Sequence, residues 1–243
     1  MSDTSALRRF MRRLTRLLPP RARSRLMSLR SRGRARLGPG AYVHRSVQWL
    51  GKAHVAVGAN SVVSQDGWFN VNHRHGGIAI EIGDHCFIGR RNFFSSGRRI
   101  AIGDYVLTAN DCQFLGSTHV TDNPMVPVLS TGTTDAAEIV VGVNCFLGAG
   151  VRVVGNVRIG HGSVVGAASL VTRSLPPFSQ AHGSPAAVHR RYSFPRGQWV
   201  ALADFDEDDE RALPDESSYL QALKKSPPPT MPYIACGSDM GDC

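Results

Sequence analysis

Residues 140–177 read VVGVNCFLGAGVRVVGNVRIGHGSVVGAASLVTRSLPP. An aliphatic residue stands at every sixth position: Val141, Leu147, Val153, Ile159, Val165 and Val171. Glycine follows it at Gly142, Gly148, Gly160 and Gly166. Four places after the aliphatic comes a small or β-branched residue, as Cys145, Val151, Val157, Ser163 and Ser169. A short fixed period marks a repeat architecture. A six-residue unit is one short parallel strand plus a turn, and three units close a triangular coil of about 18 residues. The aliphatic side chain points inward and stacks on its counterpart one coil away. The glycine or polar residue after it takes the turn, where a positive φ is expected. One unit cannot bury its own face, so several coils must stack.

The same frame extends upstream. Ile82-Gly83 is followed by Ile88-Gly89 and Phe94, Ile102-Gly103 by Thr108 and Phe114, and Val57-Gly58 by Val63. The expected fold is therefore all-β, a left-handed parallel β-helix of hexapeptide repeats over 46–180. A β-sandwich with chance periodicity is the alternative, and six consecutive in-register positions speak against it. The frame breaks twice. The step from Phe94 to Ile102 is eight residues and that from Phe114 to Val141 is twenty-seven. The second break predicts an extruded loop over 115–137, and loops on rigid scaffolds commonly carry function. Cys86, Cys112 and Cys145 fall at the small inward position. With no metal-type C-x-x-C spacing, they read as buried, reduced thiols in a cytoplasmic protein.

The flanks differ from this middle. The 243-residue chain carries a net charge of +9, unevenly placed. Residues 1–45 hold thirteen arginines and one acid, Asp3, whereas 204–216 hold eight acids. The basic excess thus says little about the ligand of the repeats. Residues 5–18 have helical periodicity. Leu7, Phe10, Met11, Leu14, Leu17 and Leu18 share one face, arginines fill the other, and Pro19-Pro20 ends the helix. This basic N-terminal helix and linker, 1–45, reads either as packed on the body or as a surface contact with anionic lipid at the inner face of a membrane. An Arg-rich transit peptide is a further reading. Nucleic acid is disfavoured, because no aromatic residues interleave with the arginines. No run of apolar residues is long enough to span a bilayer. Residues 181–243 form a C-terminal extension, an arm or a partly disordered tail, that Trp199 and Phe205 could anchor.

Three stretches resemble the hexapeptide-repeat acyltransferases, in particular the galactoside, maltose and xenobiotic acetyltransferase branch. They are IGDYVLTANDCQFLGSTH at 102–119, the run at 140–177, and GSPAAVHRR at 183–191. The resemblance implies a homotrimer with acetyl-CoA as donor substrate in the groove between neighbouring β-helices. It makes His119, at the start of the extruded loop, the general base. A hydroxyl is a poor nucleophile at neutral pH, and imidazole can take its proton during attack on a thioester. The resemblance assigns Phe146, Ala149 and Ala167 to the pantetheine arm, and Thr172, Arg173 and Arg190 to the adenine and phosphates. Arg suits phosphate recognition. For the acceptor it offers Asn92, Ser95 or Ser96, Asp111 and Asp122. Either Asp122 or a backbone carbonyl would orient His119.

The implied reaction is O-acetylation of a carbohydrate, such as a surface polysaccharide or its precursor, with an antibiotic as the same-class alternative. Two readings of another class compete. A γ-class carbonic anhydrase would need zinc on His85, His161 and a third ligand, and the His73-Arg74-His75 pair likewise lacks a third ligand. A non-catalytic β-helix scaffold is the other, since fold alone does not supply function. No resident metal is expected.

Overall fold

The computed structural model describes residues 34–73 and 76–226. The N-terminal helix expected over 5–18, and the chain beyond 226, lie outside the described residues. Short strands recur in threes. β1 (Arg36–Leu37), β2 (Tyr42–Val43) and β3 (Gln48–Leu50) form one coil. β4 (Val55–Val57), β5 (Val62–Val63) and β6 (Trp68–Val71) form the next. Then come β7 (Ile80–Ile82), β8 (Phe87–Ile88) and β9 (Phe93–Ser96), and after them β10 (Arg99–Ile102), β11 (Leu107–Thr108) and β12 (Gln113–Leu115). β13 (Glu138–Val141), β14 (Phe146–Leu147) and β15 (Arg152–Val154) follow the long loop, and β16 (Val157–Ile159), β17 (Val164–Val165) and β18 (Leu170–Val171) complete the stack. Each strand pairs in parallel with its counterpart one coil away, so three flat sheets enclose a triangular prism, the left-handed parallel β-helix of the repeats.

The six-residue frame is the register of these sheets. Val57, Ile82, Ile102, Val141 and Ile159 stack in the first sheet. Val63, Ile88, Thr108, Leu147 and Val165 stack in the second. In the third sheet the inward ladder is aromatic. Trp49, Phe69, Phe94 and Phe114 lie ring on ring, with centroids 4.9, 4.6 and 4.7 Å apart. Offset aromatic stacking adds about 0.5–1.5 kcal/mol per pair to the burial itself. Cys86, Cys112 and Cys145 are buried at the narrow inward position. Burial pushes their thiols up to about 12, 11 and 12, so they are poor nucleophiles at neutral pH.

Two expectations need correction. The strands begin at Arg36, ahead of position 46. Leu37, Val43 and Trp49 already keep the six-residue step, but in Arg-rich surroundings where it is easily overlooked. The glycine after each aliphatic is also not the positive-φ residue. That conformation falls two places later, at Asn60, His85, Tyr105, Asp111, Asn144 and Ala168 among others. The glycine serves close approach instead. A Cβ on Gly148 would lie 2.6 Å from the Ala167 nitrogen, and one on Gly83 would lie 2.7 Å from the Asp104 nitrogen.

The C-terminal extension is described through Ser226. β19 (Ser179–Gly183) adds to the second sheet in parallel, and β20 (Ala186–Ser193) and β21 (Gln198–Ala201) continue it antiparallel. The acidic run folds back onto the hairpin and the prism. Asp206 and Asp209 form a capping box on α1 (Glu207–Arg211), and Asp215 caps α2 (Glu216–Leu223). Glu210 pairs with Arg191, Asp206 with Arg196, and Glu216 with Arg158. Trp199 packs on Tyr192, and the Arg191 guanidinium lies 4.3 Å over the Phe205 ring. The acids are thus the strap that holds this arm down.

Candidate active site

Each coil has three turns. The first edge of the prism joins the first sheet to the second, the second edge joins the second sheet to the third, and the third edge leads back to the first. The third edge is where the frame breaks. Elsewhere along it the turn is two to four residues, as at 97–98, 155–156 or 51–54, but the chain leaves it for 72–79 and again for 116–137. Both excursions depart from the same edge, with the short 97–98 turn between them.

The long loop has a laced neck. The Thr134 N–H donates to the Thr118 carbonyl at 2.7 Å, and the Ser117 hydroxyl donates to the Thr134 carbonyl at 2.9 Å. His119 forms an antiparallel bridge with Thr133. Its ring is exposed, and its Nδ1 lies 3.1 Å from the Gly132 carbonyl oxygen. A carbonyl can only accept, so this bond holds the proton on Nδ1 and leaves the Nε2 lone pair free. Of the two orienting groups left open by the sequence, the one in contact is this backbone carbonyl. Asp122 is exposed further along the loop. The loop tip carries Met125 and Leu129, which are 88% and 93% exposed.

Beneath the loop root lies a polar cluster. The Asn72 amide donates to the Ser95 hydroxyl at 3.0 Å, and the Ser95 carbonyl accepts from Gly116 N–H at 2.9 Å. The Ser96 hydroxyl and the Asn70 side-chain Oδ1 are buried with no partner among the described residues. Ser95 therefore belongs to the His119 side of the prism. Asn92 does not. It is 1% exposed, and its amide donates to the Gly89 and Ala109 carbonyls at 2.8 and 2.9 Å, bracing the inside of the second edge. Asp111 sits on that edge too. Its fork with Arg91, at 2.7 and 2.8 Å, holds the carboxyl below the usual carboxylate range.

The residues assigned to the donor are likewise divided. Thr172 and Arg173 occupy the third edge of the last coil, after β18. Ala149 and Ala167 occupy the second edge, and Phe146, 39% exposed, faces outward from the second sheet. Arg190 is on β20, opposite Gln180. The third sheet separates the two edges, so a single copy does not gather these residues around His119.

The zinc reading meets side chains already engaged. The His161 Nε2 lies 3.0 Å from the Pro214 carbonyl, with the ring edge-on to Phe178, and His85 stacks on Tyr105 at 5.0 Å. Among the described residues no three His, Cys, Asp or Glu are grouped to hold a metal ion, and no helix is long and apolar enough to cross a membrane. A contact the sequence did not suggest is that of His73. Its Nε2 is 3.1 Å from the Thr133 hydroxyl and its Nδ1 is 4.0 Å from an Asp135 oxygen. The HRHGG run holding it could be weighed only as a metal pair, because its partners are sixty residues away in sequence.

No family model matches the chain. It is 32% identical over 153 residues to the galactoside O-acetyltransferase of Lactococcus lactis, spanning 51% of this chain and 72% of that one. It is 28% identical over 158 residues to a Mycobacterium tuberculosis protein named as a probable acetyltransferase, spanning 65% of this chain and 50% of that one. The chain spans about half the length of several curated relatives it matches. In fold it resembles AntD, an N-acyltransferase from Bacillus cereus solved with dTDP and 3-hydroxybutyryl-CoA, with a TM-score of 0.57 and 15% identity over 81% of this chain and 95% of that one.

Proposed function

Because the chain belongs to the hexapeptide-repeat acyltransferase family, we propose that it moves an acetyl group from acetyl-CoA to a carbohydrate hydroxyl, with His119 as general base. The observation that carries this reading is the His119 Nδ1 contact with the Gly132 carbonyl, which leaves Nε2 as the free base on an exposed ring.

The chemistry balances on that one nitrogen. His119 Nε2 takes the hydroxyl proton as the acceptor oxygen adds to the thioester carbonyl carbon. The resulting oxyanion collapses, the C–S bond breaks, and the imidazolium returns its proton to the departing thiolate. The products are an acetyl ester and free thiol. The Gly132 carbonyl stabilises the imidazolium in between, because it accepts from the Nδ1–H that gains positive character.

The proposed donor groove is shared by two copies in a homotrimer. This is supported by the division of the assigned residues between two edges of the prism. One copy would present Phe146, Ala149 and Ala167, and its neighbour His119 with its loop. The small Ala149 and Ala167 beside the exposed Phe146 ring suit an apolar pantetheine arm. Arg173 and Arg190 would take the phosphates. Exposed Met125 and Leu129 on the loop tip fit burial against a second copy.

The test is thiol release from acetyl-CoA across a panel of sugars, nucleotide sugars and hydroxylated antibiotics. His119→Ala is expected to lower kcat by about 10²–10⁴-fold, the usual scale of general-base help, with KM for acetyl-CoA little changed. Undiminished turnover of the same acceptor by that variant would remove His119 from the chemistry.

A further inference from the structure

The two excursions from the third edge enclose a cleft of about 460 Å³, lined among others by His54, His73, Gly77, Arg98 and Asp135. The charge in it is unevenly matched. Arg99, one residue on, is 2.6 Å from Glu81 and 3.6 Å from Glu138. Arg98 is exposed, and among the described residues its guanidinium has no ion pair, although its backbone N–H is fixed on the Ala137 carbonyl at 2.8 Å. His54 donates from Nδ1 to the Gly77 carbonyl at 2.8 Å, which leaves its Nε2 unspent. The described residues of the first excursion, 72–73 and 76–79, contain no acid. Among the described residues Asp135 is the one carboxylate lining the cleft, and it stands beside His73. Gly76 and Gly77 have φ of 104° and 78°, and a Cβ on either would meet nothing within 4 Å, so the backbone there is open to a close ligand.

The cleft adjoins the proposed base. His119 and His73 are held by consecutive residues of the returning limb of the loop, Gly132 through its carbonyl and Thr133 through its hydroxyl. A ligand group in the cleft would therefore lie next to the strand that positions His119.

We propose that this cleft binds an anionic substituent of the acceptor, a phosphate or a carboxylate, so that the enzyme acts on an acidic carbohydrate. This rests on the acyl-transfer reading of His119 and adds to it a site and a substrate class. Arg98 supplies the fork that suits both anions. The Gly76-Gly77 backbone allows the anion to come near.

The test is an equilibrium titration of the full chain with galactose 6-phosphate, galacturonate and galactose, in the wild type, Arg98→Ala and His119→Ala. The acidic sugars are expected to bind about tenfold or more tightly than galactose, and the tighter of the two names the group. Arg98→Ala is expected to abolish that preference while its thermal midpoint stays at the wild-type value, since the side chain is exposed. Equal affinity for all three sugars, a preference that survives Arg98→Ala, or no binding of either acidic sugar at millimolar concentration would overturn the proposal. His119→Ala should keep the preference, because no turnover is involved. Loss of catalysis is read separately by thiol release, so failure of the base assignment and failure of this cleft give different results.

Discussion

The two roles that the turns of the prism assign to their residues can be separated by a pair of substitutions on the second edge. Gly148 follows an inward leucine and has an ordinary φ, but its would-be Cβ lies 2.6 Å from the nitrogen and 2.9 Å from the Cα of Ala167 on the next coil. Both neighbours are backbone, so the coils themselves must part for Gly148→Ala to fit. Overpacking of this kind costs about 1–3 kcal/mol. Ala168 has φ 58° and therefore sits in the left-handed region with a Cβ. That conformation costs a non-glycine residue about 1–2 kcal/mol, and the entropy of an added glycine returns about 0.4–1 kcal/mol of it. Ala168→Gly should then stabilise the chain by roughly 0.5 kcal/mol on those figures. For a chain of this size each kcal/mol moves the midpoint by about 2–4 °C. Thermal unfolding followed by far-UV circular dichroism should show Gly148→Ala falling by about 2–12 °C and Ala168→Gly rising by about 1–2 °C. If Gly148→Ala is neutral, the coils do not need the missing Cβ there and the close-approach argument fails; if Ala168→Gly lowers the midpoint, the left-handed φ at that turn carries no strain.

Two further outcomes follow from the core. Phe94, fully buried between the Phe69 and Phe114 rings, should cost about 3–5 kcal/mol when changed to Ala. Phe94→Leu, which keeps much of the apolar volume, should lose distinctly less in the same denaturant titration, and equal losses would show that lost volume does not set the cost. The thiols of Cys86, Cys112 and Cys145 are raised from 9.0 to between about 11 and 12 by burial. A folded value above the unfolded one means their stabilising contribution is complete below about pH 9 and is lost as pH rises toward 11–12. Unfolding free energy measured from pH 8 to 11 should therefore fall, and a variant with all three changed to Ala should show a shallower fall. An unchanged slope in that variant would show that other groups govern the alkaline loss.

The fold was legible because the β-helix is almost one-dimensional. Each six-residue unit contacts only its counterparts above and below, so the local pattern of Val141, Leu147, Val153 and their successors is also the tertiary register. Reading failed only where the local signal was ambiguous. Leu37 and Val43 lay among arginines, and the glycines after the aliphatics could have served either φ or proximity. His119 was legible through its place at the frame break. The residue that orients it was not, since the Gly132 carbonyl is a backbone group with no signature of its own.

By itself the sequence determined the period, the inward ladders, the extruded loop and the histidine at its start. Those follow from short-range alternation of size and polarity along the chain, and a six-residue repeat has few ways to bury its aliphatic face. Only the tertiary structure decided what meets across the third edge. It brought His73 to Thr133, bent the acidic run back onto Arg158, Arg191 and Arg196, and enclosed the cleft with Arg98. These contacts join residues ten to sixty positions apart through irregular excursions and an arm. No period runs through such segments, and their conformations are set by hydrogen bonds and ion pairs that form only once the prism is there to hold them.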